Sequence, residues 1–353
     1  MSILDKSSHK IFDEQGSRLL VEYEKNSNGK SPNNNPHLPP WFNLKKFRRI
    51  KPLVNQYFFS IFLAHFCGLL ILVFIRSIYQ TLSKTGKSKN LVTIFYRYLH
   101  TCLFVKKWYE GQIWIENDPA YQSLQMVKNM HQTVSDQQNK GRIDENDEKS
   151  ISLRDMTLTQ FAFAGLLVLS PKKYGFSNRK EDIETMIYFW SVIGYMLGID
   201  DDYNLFIGDD VETIRQRCWV IFRENFRPSL LSVADTTTND NDDDRIRMAR
   251  QIIESSNQYI YGLRYGSCMK FIWQSLQIES EYPLLNREEK FWYYQMKIVI
   301  EKCYQFTIVR FLLNQLLRLS FYLMQFDFMR GFKIRQLSQM DHQVLTKSPK
   351  LIQ

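Results

Sequence analysis

The fold of this chain is decided by its apolar stretch LVNQYFFSIFLAHFCGLLILVFI, residues 53–75. The stretch contains no charged residue, and Lys51 and Arg76 bracket it. About 20 apolar residues are enough for a helix to span a bilayer, and this stretch is longer. A helix that is buried on every side of a large helical domain has the same composition. The sequence therefore predicts a long apolar helix and leaves two alternatives open, a transmembrane helix and a core helix.

Helical patterns continue after the apolar stretch. Apolar residues recur at helical spacing in 93–111 and in 119–138. Two further long helices are predicted, one from 153 to about 169 and one from 179 to about 199. Strand patterns are almost absent. The predicted fold class is therefore all-α.

The domain organisation follows from composition. Residues 1–37 are polar and include the low-complexity segment NSNGKSPNNNPH, so we predict a disordered polar leader there. A single large helical domain is predicted over residues 38–335, because hydrophobic residues make up 44% of the chain and can bury a sizeable core. A basic tail is predicted over 336–353.

The charge distribution favours a membrane surface as a partner. The net charge is +9, and residues 1–51 hold ten Lys and Arg against five Asp and Glu, while residues 290–353 hold ten against three. Basic ends suit a chain that lies against anionic lipids. Residues 306–326 are predicted to form a buried or interfacial helix, because Arg310 and Arg318 lie inside it. Nucleic acid is not an expected partner, since no recognisable binding module accompanies the charge.

Several kinds of catalytic or metal site have no support in the sequence. The five cysteines are odd in number and form no CxxC pair, which argues against a zinc site or a disulfide framework. No GxSxG, P-loop, GxGxxG or HExxH motif occurs, so serine hydrolases, P-loop enzymes, Rossmann oxidoreductases and zincins are not indicated. The aspartates at 200–202 do not fit a calcium-binding loop, because Leu205 stands where the turn glycine belongs.

The stretch IYFWSVIGYMLGIDDDYNLF, residues 187–206, raises the question of a ligand site. In a helix, Trp190, Gly194 and Gly198 fall on one stripe. The hydroxyl of Tyr188 lies on the neighbouring stripe. Small residues beside a polar ring suit either a flat ligand or a closely packed neighbouring helix, and the sequence leaves both alternatives open.

Polar residues at the start of a predicted helix raise the same question. Asp155 and Thr159 form an i, i+4 pair just before that helix turns apolar. They belong either to a capped helix start or to the mouth of an apolar pocket. His65, His100 and His131 lie on predicted helices, where a lone histidine is more often a core or boundary residue than a ligand.

Five motifs appear in a familiar order. They are PPWF (39–42), RYLHT with KWYEG (97–111), SLQMVKNMH (123–131), RDMTLTQFAFAGLLVL (154–169) and FWSVIGYMLGIDDDYNL (189–205). Their order and spacing resemble the animal branch of the rubber oxygenase family, which also contains the endoplasmic-reticulum-bound oxygenases of fungal mycophenolic acid synthesis. The resemblance covers about residues 39 to 225. It implies an all-helical heme b protein that binds dioxygen and cleaves C=C bonds of polyisoprenoid chains.

The resemblance also implies which residues hold the cofactor. Tyr188 stands where the family has its heme-ligating histidine, so Tyr188 is the implied iron ligand, beside Trp190 and Gly194. A tyrosinate ligates ferric heme in catalases. Ser191 stands where the family carries an arginine. His131, or else His100, is the implied alternative source of an iron ligand.

The implied catalytic residues are Asp155 and Thr159, on the preceding helix. Thr159 fits the family pattern, whereas Asp155 stands where the bacterial enzymes carry a basic residue. These features predict an oxidoreductase, a heme-dependent oxygenase acting on a lipid or isoprenoid substrate. The missing histidine favours the alternative, a catalytically degenerate helical lipid-binding or scaffold protein of the same fold. The predicted location is a membrane, that of the endoplasmic reticulum, with the cytoplasm as the alternative.

Overall fold

The chain is built from helices packed around one apolar core. The computed structural model describes residues 32, 37–140, 149–208, 210–234, 243–278 and 285–347, so almost all of the predicted leader lies outside the described residues. The helices are α1 (Leu44–Arg48), α2 (Ile50–Leu72), α3 (Arg76–Lys84), α4 (Leu91–Glu110), α5 (Pro119–Asn139), α6 (Leu153–Leu169), α7 (Lys180–Met196), α8 (Val211–Ile221), α9 (Arg227–Ala234), α10 (Asp244–Ser256), α11 (Tyr265–Ser275), α12 (Arg287–Glu301), α13 (Thr307–Leu323) and α14 (Asp327–Lys347). The described residues contain no strand, and the predicted all-α class is confirmed.

The apolar stretch of the sequence forms α2, at the centre of the molecule. This helix packs against α4, α6, α7 and α13. Within the described residues one helical stretch, Leu44–Leu72, is long and apolar enough to cross a membrane, and 72% of its most apolar window is buried inside the protein. Burial by neighbouring helices is what the core-helix alternative predicts.

The closest helix crossing in the core joins α2 to α6. A Cβ atom on Gly68 would lie 1.8 Å from the carbonyl oxygen of Ala162. No side chain larger than hydrogen fits between the two backbones at that distance. The glycine therefore sets how closely α2 approaches α6.

The helix α2 is broken near its start, and a side chain from α13 satisfies the backbone there. Tyr57 has non-helical angles, with φ −122° and ψ 28°. Asn314 Nδ2 donates to the carbonyl oxygens of Gln56, at 2.9 Å, and Asn55, at 3.3 Å, and its Oδ1 accepts from the backbone N–H of Phe59 at 2.8 Å. One buried amide thus replaces the hydrogen bonds that the kink removes.

The last helix crosses the predicted border between domain and tail at residues 335 and 336. Leu337 is fully buried, and the Asp341 carboxylate accepts a hydrogen bond from the backbone N–H of Leu91, at the start of α4. The first part of the predicted tail is therefore a helix that packs against α4.

Candidate functional site

The predicted ligand site lies where α6 meets α7, and apolar rings fill this space. Phe163 of α6 stacks on Trp190 of α7 with ring centroids 4.5 Å apart and planes 12° apart. His65 of α2 meets both rings edge-on, at 5.4 Å and 5.5 Å. All three side chains are buried. The two helices are therefore in direct contact at the position predicted for a flat ligand.

A buried chain of hydrogen bonds continues from Trp190. Its Nε1–H donates to the hydroxyl of Tyr109 at 2.8 Å, and that hydroxyl lies 2.8 Å from Nε2 of His65. Burial lowers the pKa of His65 to about 3 and raises the pKa of Tyr109 well above its usual value. Both groups are therefore neutral at physiological pH, and they are hydrogen-bonded to each other inside the core.

The glycine stripe of α7 accommodates a neighbouring side chain. A Cβ atom on Gly194 would lie 2.3 Å from Nε2 of Gln160, on α6. That amide donates to the carbonyl oxygen of Trp190 at 2.9 Å and to Oδ1 of Asn204 at 2.8 Å, and its Oε1 accepts from the backbone N–H of Leu205 at 2.9 Å. Of the two alternatives for this stripe, the structure has the closely packed neighbouring helix.

Tyr188, the implied iron ligand, points away from this interface. Its hydroxyl accepts a hydrogen bond from the backbone N–H of Asn43 at 2.5 Å, and its ring packs edge-on against Trp41 at 6.0 Å. The Nζ of Lys46 lies 5.9 Å from the ring centroid. Burial raises the pKa of this phenol, which opposes the tyrosinate form that iron requires.

The implied catalytic pair forms the capped start of α6. Asp155 and Ser152 make a reciprocal capping box, and Asp155 also accepts from the hydroxyl of Ser77 at 2.7 Å. The hydroxyl of Thr159 donates to the carbonyl oxygen of Asp155 at 2.8 Å. Local backbone bonds of this kind account for both residues.

The implied histidines lie elsewhere in the molecule. His131 is on α5, which packs against α4, and its Nδ1 is buried with no hydrogen-bond partner among the described residues. Burial lowers its pKa to about 4. His100 is an exposed residue of α4. The structure therefore does not bring either histidine to the α6–α7 interface.

The residues present do not fit a heme. The cavity near His65 and Phe163 has a volume of about 20 Å³, enough for about one water molecule, whereas ligand pockets measure roughly 300–1,000 Å³. A surface groove of about 490 Å³ lies beside α1 and α2, but none of the implied cofactor or catalytic residues lines it. The described residues also contain no group of three or more His, Cys, Asp or Glu that could hold a metal ion.

The most unusual surface of the described residues is the outward side of α13. Side chains at helical spacing along this side are all more than half exposed to solvent. We call them the outer face of α13: Ile308, Phe311, Leu312, Leu316, Leu319 and Tyr322. Single exposed apolar residues are common, but a contiguous apolar stripe marks an interaction site.

Polar groups lie on the inward side of the same helix. Asn314 is buried against the kink of α2, and Arg318 donates to Glu110 at 2.7 Å and to Asn55 at 2.9 Å. Its guanidinium also lies 4.0 Å from the ring centroid of Phe58. A surface helix normally buries its apolar side and exposes its polar side. In α13 these polar anchors face the domain together with the buried Leu317 and Phe321, while the outer face, which is also apolar, stays exposed.

Sequence reasoning predicted a helix here but not the direction of its faces. The apolar spacing gave the helix, and Arg310 and Arg318 indicated a boundary position. The side that faces the domain could not be predicted, because Asn314 bonds to the backbone of Asn55, which is 259 residues away in the sequence. A lone asparagine inside an apolar helix is the signal that marks the anchored side.

Comparison with known proteins identifies no relative of this chain. No protein-family model matches the chain. The searches of curated proteins and of solved structures find no significant match. The resemblance to rubber oxygenases stays a prediction from sequence motifs, and the function has to be inferred from the geometry of the chain itself.

Proposed function

We propose that this chain is a helical lipid-binding protein that attaches to the surface of an anionic membrane through the outer face of α13. The observation that carries the proposal is the exposed apolar stripe on that helix, which Asn314 and Arg318 anchor to the domain by hydrogen bonds. An amphipathic helix of this kind binds with its apolar face in the boundary between headgroups and acyl chains.

The apolar part of the binding energy comes from the six side chains of the outer face. Each is more than half exposed in the free protein. Moving such a side chain from water into lipid is worth on the order of 1 kcal/mol, because full burial of a large apolar side chain is worth about 1.5–3 kcal/mol. Six of them supply enough for reversible binding to a bilayer.

The electrostatic part comes from the basic C-terminal region of the sequence, which includes α13. Residues 290–353 carry ten Lys and Arg against three Asp and Glu, and α13 itself contains two arginines and no acid. A basic residue near an anionic bilayer contributes about 1 kcal/mol. The proposed partner is therefore a bilayer rich in anionic lipid, and the endoplasmic reticulum that the resemblance implies is the proposed location.

The helix α12, which precedes α13 in the chain, also exposes aromatic and aliphatic side chains. Phe291, Tyr294 and Ile298 are about half exposed and recur at i, i+3 and i+7. The short turn Cys303–Gln305 joins α12 to α13, and Phe306 at its end is exposed. The chain therefore presents apolar side chains from the two helices on either side of this turn.

A vesicle assay tests the proposal. Purified protein is mixed with vesicles of phosphatidylcholine and phosphatidylserine and centrifuged. The double variant Leu312→Glu/Leu316→Glu is expected to lose at least tenfold in binding, because two charges then oppose insertion. The matched control is Met126→Glu/Ile115→Glu, which places the same charges at exposed apolar positions away from α13 and is expected to bind like the wild type.

Two results would contradict membrane attachment. One is equal binding by the wild type and the α13 variant. The other is a stable dimer that the α13 variant converts to monomers in size-exclusion chromatography with light scattering, since a second copy would then cover the outer face. Circular dichroism of both variants checks that the helices are intact.

The heme-dependent oxygenase predicted from the resemblance is tested separately. Protein produced with heme supplied is examined for a Soret absorption band. The geometry predicts none, in the wild type and in Tyr188→His, because Tyr188 contacts Asn43 and lines neither the small cavity near His65 nor the surface groove. A Soret band that corresponds to one heme per chain would support the heme-dependent oxygenase, with dioxygen as its co-substrate, over the lipid-binding protein.

A further inference from the structure

A surface groove lies at the edge of the proposed membrane-binding region. Its volume is about 490 Å³, and it runs between the α1–α2 junction and the C-terminal end of α4. Phe47, Ile50 and Tyr109 are its buried apolar residues. Two basic side chains, Arg48 and Lys51, line it from the exposed side. We call it the α1–α4 groove.

Two basic and two acidic side chains line this groove, and only the acidic ones have hydrogen-bond or ion-pair partners among the described residues. Glu110 is paired with Lys106 at 2.5 Å and with Arg318 at 2.7 Å. Asp118 accepts from the backbone N–H of Ala120 as the N-cap of α5. Both carboxylates are therefore already neutralised or hydrogen-bonded.

The two cations of the groove make no ion pair with any residue that the structure describes. Arg48 stacks over the ring of Trp114, with its Cζ 5.6 Å from the centroid, and Lys51 is exposed to solvent. A stacked guanidinium keeps the N–H groups along its edge available for an anion. The groove therefore presents two cations that have no ion-pair partner among the described residues.

The shape of the groove depends on a glycine. A Cβ atom on Gly111 would lie 2.6 Å from Oδ1 of Asp118 and 2.6 Å from Cβ of Ala120. The turn after α4 can therefore approach the start of α5 only without a side chain at 111. This contact fixes the part of the groove that Gly111 and Asp118 line.

The groove is joined to α13 through Arg318. That arginine lies on the inward side of α13, and it donates to Glu110 and to Asn55, which both line the groove. A ligand in the groove is thus adjacent to the helix that is proposed to enter the bilayer. This arrangement places a site for polar groups next to a surface for acyl chains.

We infer that the α1–α4 groove binds the phosphomonoester headgroup of an anionic phospholipid, with the phosphate on Arg48 and Lys51. A phosphomonoester carries about −1.5 to −2 charges at pH 7, which matches two unpaired cations. Arginine binds phosphate oxygens bidentately, and lysine adds a point charge. The inference rests on the proposed membrane attachment and adds to it a preference among anionic lipids.

Vesicles of matched surface charge test this inference. Phosphatidylcholine vesicles are prepared with phosphatidic acid or with enough phosphatidylserine to give the same zeta potential. The wild type is expected to bind the phosphatidic acid vesicles at least about fivefold more tightly, a difference of about 1 kcal/mol. The variant Arg48→Gln/Lys51→Gln is expected to bind both kinds equally, at the strength of the phosphatidylserine vesicles.

A matched control separates the groove from total charge. The variant Lys45→Gln/Lys89→Gln also removes two exposed basic residues, but neither lines the groove. It is expected to keep the preference for phosphatidic acid. An unchanged preference in Arg48→Gln/Lys51→Gln, or an equal loss in the control, overturns the inference and leaves the membrane attachment standing.

A soluble probe distinguishes the lipid from a free phosphate ester. Glycerol 3-phosphate is titrated into the wild type and into Leu312→Glu/Leu316→Glu. Weak binding in both, abolished by Arg48→Gln/Lys51→Gln, supports the groove as the headgroup site. If glycerol 3-phosphate binds while no vesicle does, the membrane attachment fails and the groove belongs to a soluble phosphate ester.

Discussion

At the scale of single residues, a few close contacts determine how the core packs. Gly68 meets the carbonyl oxygen of Ala162, and Gly194 meets the amide of Gln160. Both are contacts between backbone and a neighbouring helix, and neither leaves room for a ligand. Protein interiors are packed densely enough that one added methyl group at such a contact is felt throughout the interface.

The substitution Gly68→Ala is expected to destabilise the protein by about 1–3 kcal/mol, because the added methyl group forces α2 away from α6. Urea denaturation measures this loss. The matched control is Gly331→Ala, a helical glycine of α14 with open space where its Cβ would lie, which is expected to stabilise by about 0.5–1 kcal/mol. Equal effects at both positions would contradict the close crossing.

The substitution Asn314→Leu is expected to destabilise the protein by roughly 2–4 kcal/mol, because it leaves the backbone groups at the kink of α2 buried without partners. Thermal and urea denaturation measure the loss. Gln315→Leu makes the same change at the next, exposed position and is expected to leave stability within about 0.5 kcal/mol of the wild type. A mild effect of Asn314→Leu would show that water satisfies the kink.

His65 makes the stability of the fold depend on pH. Its pKa is about 3 in the folded protein and 6.5 in an unperturbed chain, so below pH 6.5 the unfolded state binds a proton that the folded state does not. The free energy of unfolding therefore falls as the pH falls, by roughly 1.4 kcal/mol per pH unit between about pH 6 and 3.5 from this residue.

The variant His65→Gln isolates this contribution. Glutamine can still form a hydrogen bond with Tyr109 but takes up no proton. The difference between the wild type and His65→Gln is expected to change with the slope of one proton between about pH 6 and pH 4. His37→Gln, at an exposed position, is the control. Parallel curves for the wild type and His65→Gln would show that His65 is not the acid-sensitive group.

At the scale of helices, the sequence predicted where most elements lie and not how their faces are used. The helix predicted from 153 to about 169 is Leu153–Leu169, and the one predicted from 179 to about 199 is Lys180–Met196. Periodicity and caps act within a few residues, so they are visible in sequence. The space expected for a cavity between these helices is filled, because Phe163 and Gln160 of α6 contact Trp190 of α7. No local pattern in the sequence reveals contacts of this kind.

The direction of α13 shows the same limit. Its sequence has apolar residues on more than one side and does not tell which side faces the domain. The outcome is decided by Asn314 and Arg318, whose partners lie on α2 and at the end of α4, and by the burial of Leu317 and Phe321. These contacts join residues that are distant in sequence. The direction in which the outer face of α13 points can therefore be known only from the three-dimensional structure.

At the scale of the whole molecule, membrane binding is expected to depend on salt only in part. The net charge of +9 strengthens attraction to an anionic bilayer, and ions screen this attraction. Raising sodium chloride from about 0.1 M to about 0.5 M is expected to weaken vesicle binding several-fold, since the Debye length shortens from about 10 Å to less than half of that. The apolar contribution of α13 is not screened, so some binding is expected to persist.

Sedimentation of vesicles across a salt series measures this dependence. The Met126→Glu/Ile115→Glu variant serves as the reference, because it adds the same two negative charges as the α13 variant. Complete loss of binding at high salt would show that charge alone attaches the protein. No effect of salt would show that the basic residues of the C-terminal region do not contact the lipid.

The repair of the α2 kink by Asn314 has a consequence for synthesis. The ribosome completes the apolar run 53–75 long before it adds residue 314, since the hydrogen bond from Asn314 to Asn55 spans 259 residues. At roughly 5–20 residues per second the delay is about 13–50 s. Until then the part of α2 that packs against α13 stays uncovered in the nascent chain. Its folding in the cell is therefore expected to require a chaperone that shields this segment until translation ends.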